Sequence, residues 1–380
     1  EFRRVLFRSR FGGDAFGYAK AHDLRAAVER LRAAGKFALA YADSFGEGQP
    51  GASALATAAA FDEIWLQPMG FVSVTWPAFE VPFARDALER VGVAPQMEKR
   101  EAYKSMADLF TENGLTPQHR EMLTTLAASL GDELVATLAR GRKLSPEAVR
   151  DLMNAAPLTD SQALAGRLVD RLAYRDEALA EAERRAGDGA KLLHPLDYLG
   201  MVGGPHDEGA RIAVIHAVGE IADGGGKRGF SEGLDANASR LAKAFDAAAK
   251  DPDVRAVLFR IDSPGGSATA SETIRRGLIQ AKKAGKPVIA SMGDLAASGG
   301  YWVAMDADRI IAAPGTLTGS IGVVTGRLPL AGAFAKIGVT WERVGAVPGA
   351  GFWSPFQPMN EAERAKLAAA TDDIYNAFLR

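Results

Sequence analysis

Apolar and polar positions along this chain follow two periods, one helical and one extended. Over residues 23–36, Leu24, Val28 and Leu31 recur at helical spacing, and Gly35 supplies a stop. The apolar run 37–41 follows at once and predicts a strand. The same helix pattern, the same Ala-Gly-Lys ending and a second apolar strand return at residues 273–286 and 287–291, about 250 residues on. Asp62-Glu-Ile-Trp-Leu-Gln-Pro68 matches Asp308-Arg-Ile-Ile-Ala-Ala-Pro314, and Arg90-Val-Gly-Val93 matches Lys336-Ile-Gly-Val339, at a slightly shorter offset. Gly12-Gly13 sits ahead of its helix much as Gly265-Gly266 does. The chain therefore reads as two diverged copies of one strand-helix-strand unit. Residues 115–142 are helical by pattern with Thr116-Pro117 as the start, and residues 144–150 open another helix.

Residues 10–185 are assigned to the first copy, the Gly- and Pro-containing stretch 186–210 to a linker, and residues 211–380 to the second copy. Residues 1–9 back-translate to a common sequencing-adapter sequence and are set aside as an artefact. On that reading the natural N-terminus is missing, and so is the second copy's counterpart of residues 144–175.

Composition narrows the chemistry. The net charge is −2 and the pI about 6.3, so nothing points to nucleic acid. No apolar run approaches the length of a membrane span. With no cysteine, disulfides, zinc-thiolate sites and a cysteine nucleophile are excluded. The five histidines (His22, His119, His194, His206 and His216) show no metal-ligand spacing, and no serine–histidine–aspartate arrangement is evident.

The candidate chemistry lies in the second copy. Residues 254–261 read as a buried strand that runs into Asp262-Ser-Pro-Gly-Gly-Ser267. Further on, Ala296-Ala-Ser-Gly-Gly-Tyr301 presents Ser298 beside two glycines, and Thr316-Leu-Thr-Gly-Ser-Ile-Gly322 follows. Glycines let bare N–H groups approach whatever a serine attacks, as an acyl-transfer site requires. Ser263 and Ser267 read as turn and helix-cap residues, and Tyr301 and Trp302 as core or pocket wall.

Together these three motifs resemble the signal peptide peptidase A family, bacterial membrane-anchored Ser/Lys peptidases with a Clp/crotonase-like fold. The likeness covers most of residues 10–380 and is nearest the long form with two repeats. It implies an α/β protein of tandem duplicated Clp/crotonase-like domains, a ββα spiral with flanking helices. Residues 158–169 resemble the family's closing segment. In Glu101-Ala-Tyr-Lys-Ser-Met-Ala107, the Tyr-Lys-Ser core resembles the segment bearing the family's general base, which makes Lys104 the candidate base. The first copy has Ala52 where the second has Ser298, and the second has Ala350 where the first has Lys104. Each copy keeps what the other lost, which predicts one composite site.

By resemblance, Ser298 is the nucleophile, Lys104 the base and Ser320 its orienting partner. The oxyanion donors are to be sought among Gly265, Gly266 and Gly299. The base must be neutral, so its pKa has to fall from about 10.4 to roughly 7–8, at about 1.36 kcal/mol per unit. The resemblance further implies hydrophobic signal-peptide remnants as substrates, a homo-tetramer, no cofactor or metal, and an N-terminal anchor in the bacterial inner membrane with the catalytic part in the periplasm. Two rivals stand beside it. One is a crotonase-like acyl-CoA enzyme. The other is a non-catalytic membrane-associated scaffold, which predicts Lys104 far from Ser298.

Overall fold

The computed structural model describes residues 7–11, 17–187, 189–202, 209–223, 236–345, 347 and 351–380. Its first half runs β1 (Phe7–Phe11), α1 (Tyr18–Ala33), β2 (Ala38–Ala42), α2 (Ala52–Ala58), β3 (Glu63–Leu66), α3 (Arg85–Arg90) and β4 (Gln96–Arg100). It continues with α4 (Asp108–Thr111), α5 (Pro117–Arg142), α6 (Pro146–Ala155), α7 (Asp160–Ala165), β5 (Arg171–Leu172), α8 (Arg175–Ala186) and α9 (Pro195–Val202). The second half runs β6 (Arg211–Val218), β7 (Ile221–Ala222), β8 (Ala236–Asn237), α10 (Ala238–Lys250), β9 (Val254–Ser263), α11 (Ala268–Lys283) and β10 (Val288–Ala297). It ends with α12 (Gly299–Trp302), β11 (Arg309–Ile311), β12 (Leu317–Gly319), β13 (Val323–Arg327), α13 (Ala331–Ala335) and α14 (Glu361–Leu379).

The α/β duplication expected from the sequence is present in the backbone. One parallel sheet has the order β1-β2-β3-β5 and the other β11-β10-β9-β6, with β12 pairing the far end of β10. Helices α1 and α11 are each 16 residues long. Each is followed by a glycine in the left-handed region, Gly35 at φ 74° and Gly285 at φ 80°. The second matched pair does the same, Gly92 at 81° and Gly338 at 82°. A side chain at these positions would meet the steric penalty that glycine avoids. Helix α5 begins as read, with the Thr116 hydroxyl accepting from the His119 N–H and Pro117 in the first turn.

Two differences concern the ends of the first half. Residues 7–9, set aside above, belong to β1, which pairs with β2 from Phe7↔Ala38 to Phe11↔Ala42. Backbone pairing on an open sheet edge makes little demand on side chains, so a segment without a fold signal can take that place. The stretch read as linker contains α9, which opens at Pro195 and carries Asp197 in its first turn. Residues 1–6, Gly12-Gly13, His206 and Ala350 lie outside the described residues.

Each repeat has its own core. Leu55, Ile64, Leu66, Leu134, Leu138 and Met153 fill the first between sheet and helices, while α8 covers the sheet's other face over Leu39, Tyr41 and Trp65. Phe245, Phe259, Ile274 and Leu278 fill the second, with the two phenylalanine rings edge to face at 5.0 Å. Among the described residues, α5 is the one helix long and apolar enough to cross a membrane, yet its Leu134 and Leu138 are buried in the first core.

The repeats are joined by a feature absent from either pattern. Strand β4 of the first pairs antiparallel with β13 of the second, from Arg100↔Val323 to Gln96↔Arg327. Helix α14 packs on both strands. Arg100 bonds Asp372 and the Ala368 carbonyl, and the Tyr375 hydroxyl donates to Glu101 at 2.7 Å. This ribbon carries the segment just before Lys104 to the segment just after Ser320.

Candidate active site

Strand β10 ends in a sharp turn at Ser298, which takes φ 56° and ψ −120°, a conformation a non-glycine residue holds only at a cost of roughly 1–3 kcal/mol. The surrounding bonds fix it there. Its N–H donates to the Gly319 carbonyl at 2.9 Å, and its own carbonyl accepts from Tyr301 and Trp302. Ser320, also at positive φ (53°), follows β12 alongside. Trp302 is buried against Phe378, and its indole N–H donates to Glu272, so of the two roles read for it, core or pocket wall, it takes the first.

Lys104 follows β4 and precedes a short 3-10 turn, Ser105–Ala107. Its Nζ lies 3.0 Å from Ser298 Oγ, 2.9 Å from Ser320 Oγ and 2.9 Å from the Ser320 carbonyl oxygen. The side chain is 7% exposed. Burial pushes its pKa down to about 8, because a low-dielectric surrounding penalises the ammonium form. The sequence-predicted trio is thus brought together from both repeats.

Its neighbours are structural. Lys99 pairs with the buried carboxylate of Asp108, closing the base of the loop that carries Lys104, and Arg100 is bound to α14. The motif assigns Gly322 no role. A Cβ there would stand 2.6 Å from the Arg100 carbonyl and 3.3 Å from Lys104 Cβ, so its bareness lets the lysine stem pass. Arg100, Asp108, Asp372 and Tyr375 gave no signal, because their relevance depends on the β4–β13 pairing.

The three glycines are not equivalent. The Gly265 N–H donates to Ser263 Oγ at 3.1 Å. The Gly266 and Gly299 N–H groups have no acceptor among the described residues. An ideal Cβ on Gly299 would lie 3.2 Å from Gly266 N, which shows how close the two backbones come. Gly265 serves instead by its size. At φ 96°, a Cβ on it would lie 2.5 Å from Gly299 N and 2.9 Å from Ser298 Cβ. Gly265→Ala is therefore expected to lower turnover by about a hundredfold or more through misplacement of the turn. A peptidase assay on the purified variant checks this, and wild-type turnover would show that the close approach is unnecessary. Ser263 and Ser267 play the turn and cap roles read from sequence, Ser267 Oγ accepting from the Ala270 N–H at 3.2 Å.

A family model described as Peptidase family S49 matches residues 31–188 and 280–380. The chain belongs to peptidase family S49. The two matched segments of this S49 chain contain, respectively, Lys104 and the pair Ser298 and Ser320. Among curated relatives, Protease 4 of Salmonella typhi is 32% identical over 335 residues, covering 85% of this chain and 52% of its own length. Protease 4 of Haemophilus influenzae is 32% identical over 366 residues, covering 92% and 56%. The chloroplastic serine protease SPPA of Arabidopsis thaliana is 30% identical over 339 residues, covering 86% and 48%. The S49 chain thus spans about half the length of the curated relatives it matches. A solved enoyl-CoA hydratase/isomerase from Acinetobacter baumannii aligns with 21% of this chain and 38% of its own, at 25% identity and a TM-score of 0.19, too little to bear on the fold.

Proposed function

We propose that this chain is the catalytic part of a serine endopeptidase that uses a Ser298–Lys104 dyad to hydrolyse hydrophobic peptides, cleaved signal peptides among them. The observation that carries the reading is the threefold contact of Lys104 Nζ. A neutral amine has two N–H bonds and one lone pair. The two N–H groups go to Ser320 Oγ and the Ser320 carbonyl, which leaves the lone pair facing the Ser298 hydroxyl. Lys104 then takes the proton as Ser298 Oγ attacks the peptide carbonyl carbon. The oxyanion formed is held by the Gly266 and Gly299 N–H groups. Collapse expels the amine, which receives the proton from Lys104, and leaves a Ser298 ester. Water, deprotonated by Lys104, hydrolyses that ester and regenerates both groups.

The scaffold rival requires Lys104 and Ser298 to be apart, and at 3.0 Å they are not. The acyl-CoA rival gives a serine hydroxyl bonded to a buried lysine no task. Membrane attachment at the bacterial inner membrane, a periplasmic catalytic part and a homo-tetramer remain proposals of the same reading. The test is covalent. A fluorophosphonate is expected to add once per chain, on Ser298, as located by peptide mass mapping, with no addition to Ser298→Ala. Labelling of another serine, or none, would overturn the assignment.

A further inference from the structure

The first repeat touches the second at another place, the start of α1. The opening N–H groups of a helix need acceptors, and Gly17 at the cap position offers no side chain. The acceptor comes from the other repeat. Asp294 Oδ1, on β10, takes the Lys20 N–H at 2.9 Å. A Cβ on residue 17 would overlap that carboxyl group, so glycine is what lets it reach the helix.

The Lys20 side chain then returns to the same strand ends. Its Nζ lies 3.0 Å from Asp294 Oδ2 and 2.9 Å from Asp262 Oδ2. The two carboxylates are only 18% and 17% exposed, and one ammonium stands between them. Asp262 Oδ1 also accepts from the Leu295 N–H at 3.1 Å, where β10 slips its register against β9 between Met292 and Ala296. The neighbouring charges are paired with each other: Arg260 of β9 bonds Asp23 of α1 at 2.6 Å.

Both acids stand just upstream of the chemistry. Asp262 leads into Ser263-Pro-Gly-Gly266, and Asp294 leads through residues 295–297 to Ser298. Without Lys20, two partly buried like charges would face each other at the two strand ends that must stay in register. We infer that Lys20 is a positioning residue: by bridging Asp262 and Asp294 with one ammonium, it locks the nucleophile turn and the glycine loop to each other and to the repeat that carries the base. This rests on the Ser/Lys reading above.

The test uses the 380-residue chain, a fluorophosphonate as probe and a charge rescue. Lys20→Met is expected to lower the maximal inactivation rate constant about tenfold or more while leaving the probe's half-saturating concentration nearly unchanged. Asp294→Asn keeps the capping oxygen and removes one charge. The double variant Lys20→Met/Asp294→Asn is therefore expected to recover to within about threefold of wild type. A wild-type rate in Lys20→Met, or a double variant as slow as the single one, overturns the inference, since lost packing would not be rescued by removing a charge. If the wild-type chain itself does not react, the Ser/Lys reading falls instead. The clamp is then decided by thermal unfolding, where Lys20→Met must melt lower than wild type and the double variant must recover. Equal melting temperatures would overturn it.

Discussion

Ser298→Ala and Lys104→Met are each expected to abolish peptide hydrolysis, lowering kcat by about 10⁴-fold or more, and the double variant is expected to be no worse than either alone. In the proposed mechanism the dyad works as a unit, so the first loss removes the covalent route and the second finds nothing left to remove. In the structure the unit is defined by one 3.0 Å contact between groups 194 residues apart. Lys104→Arg is expected to fail as completely, because a guanidinium stays charged at any working pH and has no lone pair to offer. Steady-state rates with a fluorogenic apolar peptide, beside circular dichroism to confirm folding, provide the measurement. Independent, multiplicative losses in the double variant would show that Lys104 does not act through Ser298.

The second large effect concerns pH. With Lys104 titrating at about 8, kcat/KM is expected to rise with pH through that value as the amine loses its proton. Stability should follow the same group with a definite sign. The unfolded chain holds the lysine proton up to about 10.4, whereas the folded chain releases it near 8. Between those values the unfolded state binds more protons, so stability contributed by this residue rises with pH. Below 8 the cost of the buried ammonium is carried in full, about 3 kcal/mol for a shift of this size. Lys104→Met, which removes that charge and keeps most of the stem, is therefore expected to melt higher than wild type at pH 7. The gap should close as the pH approaches 10. A variant that melts lower at pH 7 would mean that the bonds to Ser320 outweigh the burial of charge.

The strain at Ser298 belongs to the same balance. A non-glycine residue at φ 56° is held by its bonds to Gly319, Tyr301 and Trp302, and its hydroxyl is thereby kept within reach of Lys104. The glycines around it are there for close approach. At Gly265 a methyl group would meet the nucleophile turn itself, and at Gly299 it would meet Ser271 Oγ at 2.5 Å.

Much of this was legible in residue order. The two copies could be matched because helix period, glycine stop and following strand are local properties, and Gly35 and Gly285 take the same backbone geometry that their shared context implied. The loss of serine in one copy and of lysine in the other pointed to a composite site, and the motifs held Ser298, Lys104 and Ser320, which the fold brings together. The oxyanion donors could not be separated in the same way. Whether the Gly265 N–H is engaged depends on whether Ser263 Oγ turns back to it, and it does.

What only the tertiary structure decided is how the halves meet. The antiparallel β4–β13 ribbon, the α14 contacts that hold Arg100 and Glu101, and the Asp294 cap on α1 all join residues more than 200 positions apart. No local period or motif encodes such pairings, because each side chain is ordinary in its own segment. Sequence determined which groups are present and which repeat carries each. The packing of one repeat on the other determined that Lys104 is buried, that its proton is held weakly, and that Ser298 lies within its reach.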